Sequence, residues 1–297
     1  MIDLIKNFRG TGVAIITPFK SDLSVDYDVI KKLVDFVIMG GVNYIVVQGT
    51  TGEYATLSEN EKVKCRKVFI RANNGRVPLV IGIGSNYTDS LVDYVNKSDL
   101  IGFSAILSVV PYYNKPSQQG LFQHFSKLAN SSKVPIILYN VPGRTSCNME
   151  PDTVIKLAKK HKNIIGIKEA KGDLDQIKSL IKNKPPNFLI ISGDDETAAE
   201  SILNGADGVI SVAAGSIPKL FTKTINCALN KEEKNTNILL DLIKPYIKLL
   251  FDEGNPSGTK AALSVLNICE NKLRLPLIPV SDSLYSKIEK FISENPE

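Results

Sequence analysis

Histidine and cysteine, the usual ligands of zinc, are scarce in this chain: two histidines and four cysteines in 297 residues. Cys65, Cys147, Cys227 and Cys269 stand far apart with no Cys-x-x-Cys pair, and neither His124 nor His161 lies at metal-ligand spacing. That pattern argues against a zinc site and against a disulfide framework, and it predicts a reducing, cytoplasmic setting. Both histidines read as helix-surface residues. Long apolar runs are missing too, since no stretch reaches the length of a membrane span. Residues 1–10 carry Asp3, Lys6 and Arg9 where a signal peptide needs an apolar core, so neither a membrane nor export is expected. The net charge of +5 comes from scattered lysines such as Lys156, Lys159, Lys160 and Lys162. No basic run is interleaved with aromatics, which removes nucleic acid from the expected partners. The pair Gly82-Ile83-Gly84 lacks the third glycine of a dinucleotide fingerprint.

What the chain does have is a repeated alternation of short β-branched runs and helical patterns. Eight runs are expected as strands, at 13–17, 44–48, 79–83, 103–109, 135–139, 164–168, 188–192 and 208–211. They are nearly continuous in apolar residues, as strands covered on both faces are, and this favours a closed parallel barrel over an open sheet. The predicted fold is therefore α/β, a (β/α)8 TIM barrel with a C-terminal helical extension. Residues 1–216 are expected to form the barrel core. Residues 217–297 read as the last barrel helix and an extension packed on the barrel, divided into about three helices by Pro245, the Gly254-Asn255-Pro256 break and Pro276. Two helix starts are marked: Asp26 as a cap before Ile30, Leu33, Val34 and Val37, with Gly40-Gly41 as the stop, and a capping box of Ser58 and Glu61.

In such barrels, reacting groups sit where strands end and loops begin. Strand two runs into Gly49-Thr50-Thr51-Gly52-Glu53, a tight turn whose N–H groups can converge on a carboxylate. Strand four is followed by Tyr112 and Tyr113 on a loop bounded by Pro111 and Pro116. Strand five ends at Tyr139, a phenol able to pass a proton, and Arg144 follows with a fork suited to a carboxylate. The sixth run, Ile164-Ile165-Gly166-Ile167-Lys168, closes on a primary amine. Burial disfavours an ammonium, and the free amine of a lysine so placed attacks carbonyl carbon to give a Schiff base. Taken singly, each residue has an ordinary reading: a solvated lysine, a packing tyrosine, a surface arginine. Their common position after strands two, four, five and six does not.

Gly49-Thr50-Thr51-Gly52-Glu53, Tyr139-Asn140-Val141-Pro142-x-Arg144-Thr145, Gly166-Ile167-Lys168-Glu169-Ala170 and Ser192-Gly193-Asp194-Asp195 resemble, in order, the motifs of the pyruvate-dependent class I aldolase superfamily. Within it the chain is similar to the dihydrodipicolinate synthase family, from about Gly12 to Pro279. The resemblance implies that Lys168 forms a Schiff base with pyruvate and that Thr50 and Thr51 hold the pyruvate carboxylate. It implies a proton relay of Tyr139, Thr50 and Tyr113, with Tyr113 entering the neighbouring site across a tight-dimer interface of a homotetramer. Arg144 matches the residue that receives the carboxylate of aspartate semialdehyde, and Gly193 and Ile210 match positions lining the pocket beside the lysine. No metal or organic cofactor is implied.

The sequence departs from the family in two places. Lysine-sensitive members carry a glutamate four residues after an asparagine at an interface pocket, whereas here Asn86 is followed by Ser90, and Glu59 and Lys62 replace histidines. Free lysine is accordingly expected to inhibit weakly or not at all. Ser257-Gly258-Thr259 stands where the family has bulkier apolar or proline residues. Three rival readings stay open: another pyruvate aldolase acting on a sugar acid, a non-catalytic small-molecule binder, and a pyridoxal phosphate enzyme using Lys168.

Overall fold

The computed structural model describes residues 5–295, so Asp3 lies outside the described residues. Eight parallel strands close into a barrel in chain order: β1 (Gly10–Ala14), β2 (Tyr44–Val47), β3 (Leu79–Gly82), β4 (Ala105–Val109), β5 (Ile136–Asn140), β6 (Ile164–Glu169), β7 (Leu189–Ser192) and β8 (Gly208–Ser211). The last strand pairs with the first, Gly10 opposite Gly208 and Gly12 opposite Ile210. Between them run α1 (Val29–Met39), α2 (Glu59–Asn73), α3 (Thr88–Lys97), α4 (Gln118–Ser131), α5 (Pro151–Lys160), α6 (Leu174–Asn183), α7 (Ala198–Leu203) and, after β8, α8 (Pro218–Leu229). Alternate strand residues separate two cores. Ile45, Val47, Ile106 and Ile190 face the helices, while Tyr44, Val46, Leu107 and Ile191 fill the barrel interior.

One break in this alternation matters for chemistry. Ile136 sits opposite Ile164, but Ile137 sits opposite Gly166, so β6 holds one extra residue at this point. An inserted residue turns everything after it to the opposite face. Ile165 is interior, and after the shift Lys168 is level with the interior residue Tyr139, while Glu169 falls beside Asn140. Gly166 is needed for the close approach to β7, because a methyl group there would lie 2.7 Å from the Leu189 Cβ and 2.8 Å from its carbonyl oxygen.

Several element boundaries differ from the sequence expectation. The first strand lies at Gly10–Ala14 and not at 13–17. Phe19 and Val25 form an antiparallel bridge instead, and the Asp26 N–H donates to the Pro18 carbonyl at 2.8 Å. That bond holds Asp26 in a hairpin, so α1 starts two residues later behind Asp28, which makes no side-chain cap. The Ser58–Glu61 capping box is present in full.

Beyond α8, the described residues form three more helices, α9 (Glu233–Asp252), α10 (Ser257–Val265) and α11 (Asp282–Glu294). Four helices thus follow β8, and Pro245 lies inside α9 where a break was expected. A proline removes one backbone bond from a helix interior. Here Ile243, Tyr246, Ile247 and Leu250 bury a continuous face on both sides of it. α9 packs on α8 and α10, and α11 packs on α9 and α10. The histidines are also placed differently from expectation, since both are buried. His124 meets Thr88 Oγ1 at 2.9 Å and packs edge-on to Phe125, and His161 Nε2 meets Ser126 Oγ at 2.9 Å. Burial pushes the His124 imidazole down to about 4, so it stays neutral at physiological pH and serves packing between helices.

Candidate active site

The carboxyl ends of the strands surround a cavity of about 380 Å³. Thr50, Thr51, Tyr139, Arg144, Lys168 and Gly193 all line it, six residues singled out from the sequence. Lys168 is 5% exposed, and its Nζ lies 4.4 Å from the centre of the Tyr139 ring. Gly193 makes room for it, since a methyl group at that position would come within 2.7 Å of Lys168 Cε and 2.6 Å of Ala170 Cβ. An alanine at 193 would push the amine out of place.

The Thr50-Thr51 turn after β2 is closed by two backbone bonds, Gly52 N–H to Gly49 O and Glu53 N–H to Thr50 O, each 3.1 Å. Thr51 Oγ1 accepts from Asn255 Nδ2 at 3.0 Å. Arg144 sits on a helical turn, Pro142–Thr145, directly after β5, and its side chain is exposed at the mouth. Its Nη2 lies 3.5 Å from the Asn255 carbonyl. Asn255, Phe251 and Val212 are also part of the lining. These three were not foreseen: Asn255 meets Thr51 across 204 residues of chain, and the Gly254-Asn255-Pro256 break marked a turn without marking where it folds back.

Ile210 and Tyr113 lie elsewhere. Ile210 is in the barrel interior with Ile191 and Leu189, 1% exposed, and Val212 is the β8-side residue facing the cavity. Tyr113 is 88% exposed on the loop after β4, with a positive φ of 73°, and does not face the cavity of its own chain.

Buried carboxylates stand behind the site, Glu169 and Asp195 among them. Glu169, next to Lys168, points out of the barrel and accepts from Asn140 Nδ2 (3.0 and 2.9 Å), Gln176 Nε2 (2.8 Å) and the Lys171 N–H (2.9 Å). Burial raises its carboxyl above the ordinary range against the pull of those donors. The network ties the end of β5 to the end of β6, holding Tyr139 and Lys168 in register. Asp195, behind β7, accepts from the Val212 and Ala213 N–H groups at 3.0 and 2.9 Å. Burial pushes it up to about 6, opposed by Ser211 and by those two amides.

A second cavity of about 210 Å³ contains Tyr54, Glu59, Lys62, Ser90 and Tyr94. Glu59 is paired with Lys62 at 2.7 Å, and Asp89 with Lys127 at 2.5 Å. The carboxylate that shares this cavity with Ser90, Glu59, and the one next to Ser90 in sequence, Asp89, are therefore already engaged. Among the described residues there is no cluster of three histidine, cysteine or acidic side chains placed to hold a metal, and no helix long and apolar enough to cross a membrane.

The order of motifs, the barrel and the lysine-centred cavity agree with a match of residues 7–295 to the model described as the dihydrodipicolinate synthetase family. The chain belongs to that family. A 4-hydroxy-tetrahydrodipicolinate synthase of Flavobacterium psychrophilum is 49% identical over 97% of this chain and 98% of its own. One from Cytophaga hutchinsonii is 48% identical over 95% of each chain. Among solved structures, the chloride-inhibited dihydrodipicolinate synthase of Acinetobacter baumannii complexed with pyruvate superposes with a TM-score of 0.92 at 40% identity, covering 96% of this chain and 98% of that one.

Proposed function

We propose that this chain condenses pyruvate with L-aspartate 4-semialdehyde, the 4-hydroxy-tetrahydrodipicolinate synthase reaction of lysine and diaminopimelate biosynthesis. The observation that carries the reading is the Lys168 amine, nearly buried, facing Tyr139 inside a cavity that also presents a threonine turn and an arginine. The reading is supported by relatives of that name that match over nearly the whole chain.

In this mechanism the Lys168 amine adds to C2 of pyruvate and water leaves, giving an iminium. Thr50 and Thr51 hold the carboxylate through the turn that carries them. The iminium acidifies the methyl group, and a proton leaves C3 by way of Tyr139 and Thr50. The resulting enamine carbon attacks the aldehyde carbon of the second substrate, whose carboxylate Arg144 receives in its planar fork. The alkoxide so formed takes a proton. The amino group carried by the semialdehyde then displaces Lys168 at C2, closing the ring and returning the free amine. The steps use only protein side chains and the substrates' own groups, so we assign the reaction no metal or organic cofactor.

Tyr113 enters this scheme from a second copy of the chain. Its exposure and the loop that holds it outward support a homotetramer built as a dimer of tight dimers, in which Tyr113 completes the relay of its neighbour. Four free cysteines are consistent with a cytoplasmic enzyme. Turnover assays separate this reading from a sugar-acid aldolase. Pyruvate consumption is expected with aspartate semialdehyde and not with aldoses, and the reverse preference would overturn the assignment.

A further inference from the structure

The turn that carries Thr50 and Thr51 is fastened from behind by groups that do not line the cavity. Glu53 ends the turn in the left-handed region, at φ 49° and ψ 35°. Its carboxylate points away from the site, and Oε1 lies 2.5 Å from Lys260 Nζ, with both side chains 0% exposed. Lys260 comes from α10. It also donates to the Lys272 carbonyl at 2.8 Å and lies 4.0 Å from the centre of the Phe19 ring. The Arg274 backbone N–H donates to Glu53 Oε2 at 3.2 Å. The Arg274 guanidinium donates to the Thr56 carbonyl at 2.8 Å and to Glu61 Oε2 at 2.9 Å.

A single stretch of the C-terminal extension therefore grips both ends of the turn. Asn255 holds Thr51, and Lys260 with Arg274 holds Glu53. Between the two grips, Gly52 is confined: its carbonyl accepts from Thr17 Oγ1 at 2.7 Å, and a methyl group on it would lie 3.3 Å from the Gln48 backbone and from the Ile15 carbonyl. A buried ion pair is a poor device for raw stability, because desolvating the two charges offsets much of their attraction. What it does supply is a fixed geometry, since each charge tolerates few positions other than the one facing its partner.

We propose that the Glu53–Lys260 pair is a positioning device through which the C-terminal extension sets the geometry of the Thr50-Thr51 turn, and with it the affinity for the pyruvate carboxylate. The proposal rests on the reading of the cavity as a pyruvate site. Its effect is expected to fall on pyruvate first, because Arg144 sits on the turn after β5 and meets the extension at the Asn255 carbonyl, touching neither Glu53 nor Lys260.

The test uses the full-length protein and the variants Glu53→Gln, Lys260→Met and the double variant, in which no unpaired charge is left buried. Melting temperature, kcat and the half-saturating concentration of each substrate are measured for all. The double variant is expected to regain most of the melting temperature lost by Lys260→Met. It should still need about tenfold more pyruvate, with half-saturation by aspartate semialdehyde changed by less than about twofold and kcat by less than about threefold. Unchanged half-saturation by pyruvate in the folded variants would overturn the proposal. So would a parallel loss for both substrates and kcat that follows melting temperature, which is the mark of a purely structural pair. Borohydride trapping of pyruvate on the parent protein is run alongside. No adduct there overturns the pyruvate reading itself, whereas a normal adduct with unchanged pyruvate dependence in the variants overturns the positioning role alone.

Discussion

At the scale of single residues, Lys168 and Arg144 are placed differently, and their substitutions are expected to fail differently. Lys168 reaches the cavity from inside the barrel wall, where Gly193 leaves it space. Arg144 stands at the rim on a short helical turn, touching the Asn255 carbonyl and otherwise open to what arrives. Arg144→Ala should therefore lower kcat/KM for aspartate semialdehyde by roughly 10- to 100-fold, the effect of losing about 1.5 to 3 kcal/mol from hydrogen bonds to a charged group. Pyruvate adduct formation on Lys168 should change by much less. Equal losses for both would mean that Arg144 supports the mouth of the barrel and recognises no carboxylate. The sequence made the residue types legible, because an amine, a phenol and a guanidinium fall after consecutive strands. It did not make their direction legible. The extra residue in β6 decides whether Lys168 or Glu169 faces inward, and the one local sign of it, Gly166 among the isoleucines, is compatible with a bulge and with a regular strand alike.

At the scale of elements, the ends of the strands are held by carboxylates buried behind them. Asp195 joins the loop after β7 to the first residues after β8 by accepting hydrogen bonds from two backbone N–H groups. Its carboxyl is pushed up to about 6 from an ordinary value of 3.8. The folded state thus holds this proton more tightly than the unfolded chain does. Stability from this group is fully present below about pH 4 and is lost as pH rises through about 6. Two pH units correspond to about 3 kcal/mol. Asp195→Asn cannot titrate, so its stability relative to the parent should rise between about pH 4 and 6 and then level off, followed by urea unfolding at each pH. Parallel curves for the two proteins would show that Asp195 titrates normally. Helices were legible where caps or stops are local, as at Ser58 with Glu61 and at Gly40. They were misread where distant packing overrides a local signal. Pro245 continues α9 because the helix buries a face on either side of it, and Asp26 is taken up by the bond to Pro18.

At the scale of the whole molecule, the C-terminal extension is part of the site's construction. Phe251 and Asn255 form one wall of the cavity, and Lys260 and Arg274 hold the turn behind it. Barrel and extension could be told apart in the sequence by the end of the strand–helix alternation. Their contacts could not, since Lys260 and Glu53 are an ordinary lysine and glutamate until folding buries both. The Tyr113 loop completes the picture outward. If a second copy uses that phenol, Tyr113→Phe should leave melting temperature and pyruvate binding near the parent values while lowering kcat by about tenfold or more, the scale of a lost proton-relay group. Sedimentation of the parent protein should give a tetramer. A fully active monomer would contradict both the assembly and the shared relay.

The central claim is that pyruvate becomes covalently attached to Lys168, and borohydride reduction in the presence of pyruvate, followed by peptide mass mapping, tests it most directly. The account predicts one reduced pyruvate adduct per chain, confined to the peptide containing Lys168 and absent from Lys168→Ala. An unmodified Lys168 peptide recovered from fully active protein after trapping, or an adduct formed equally well on Lys168→Ala, would contradict it.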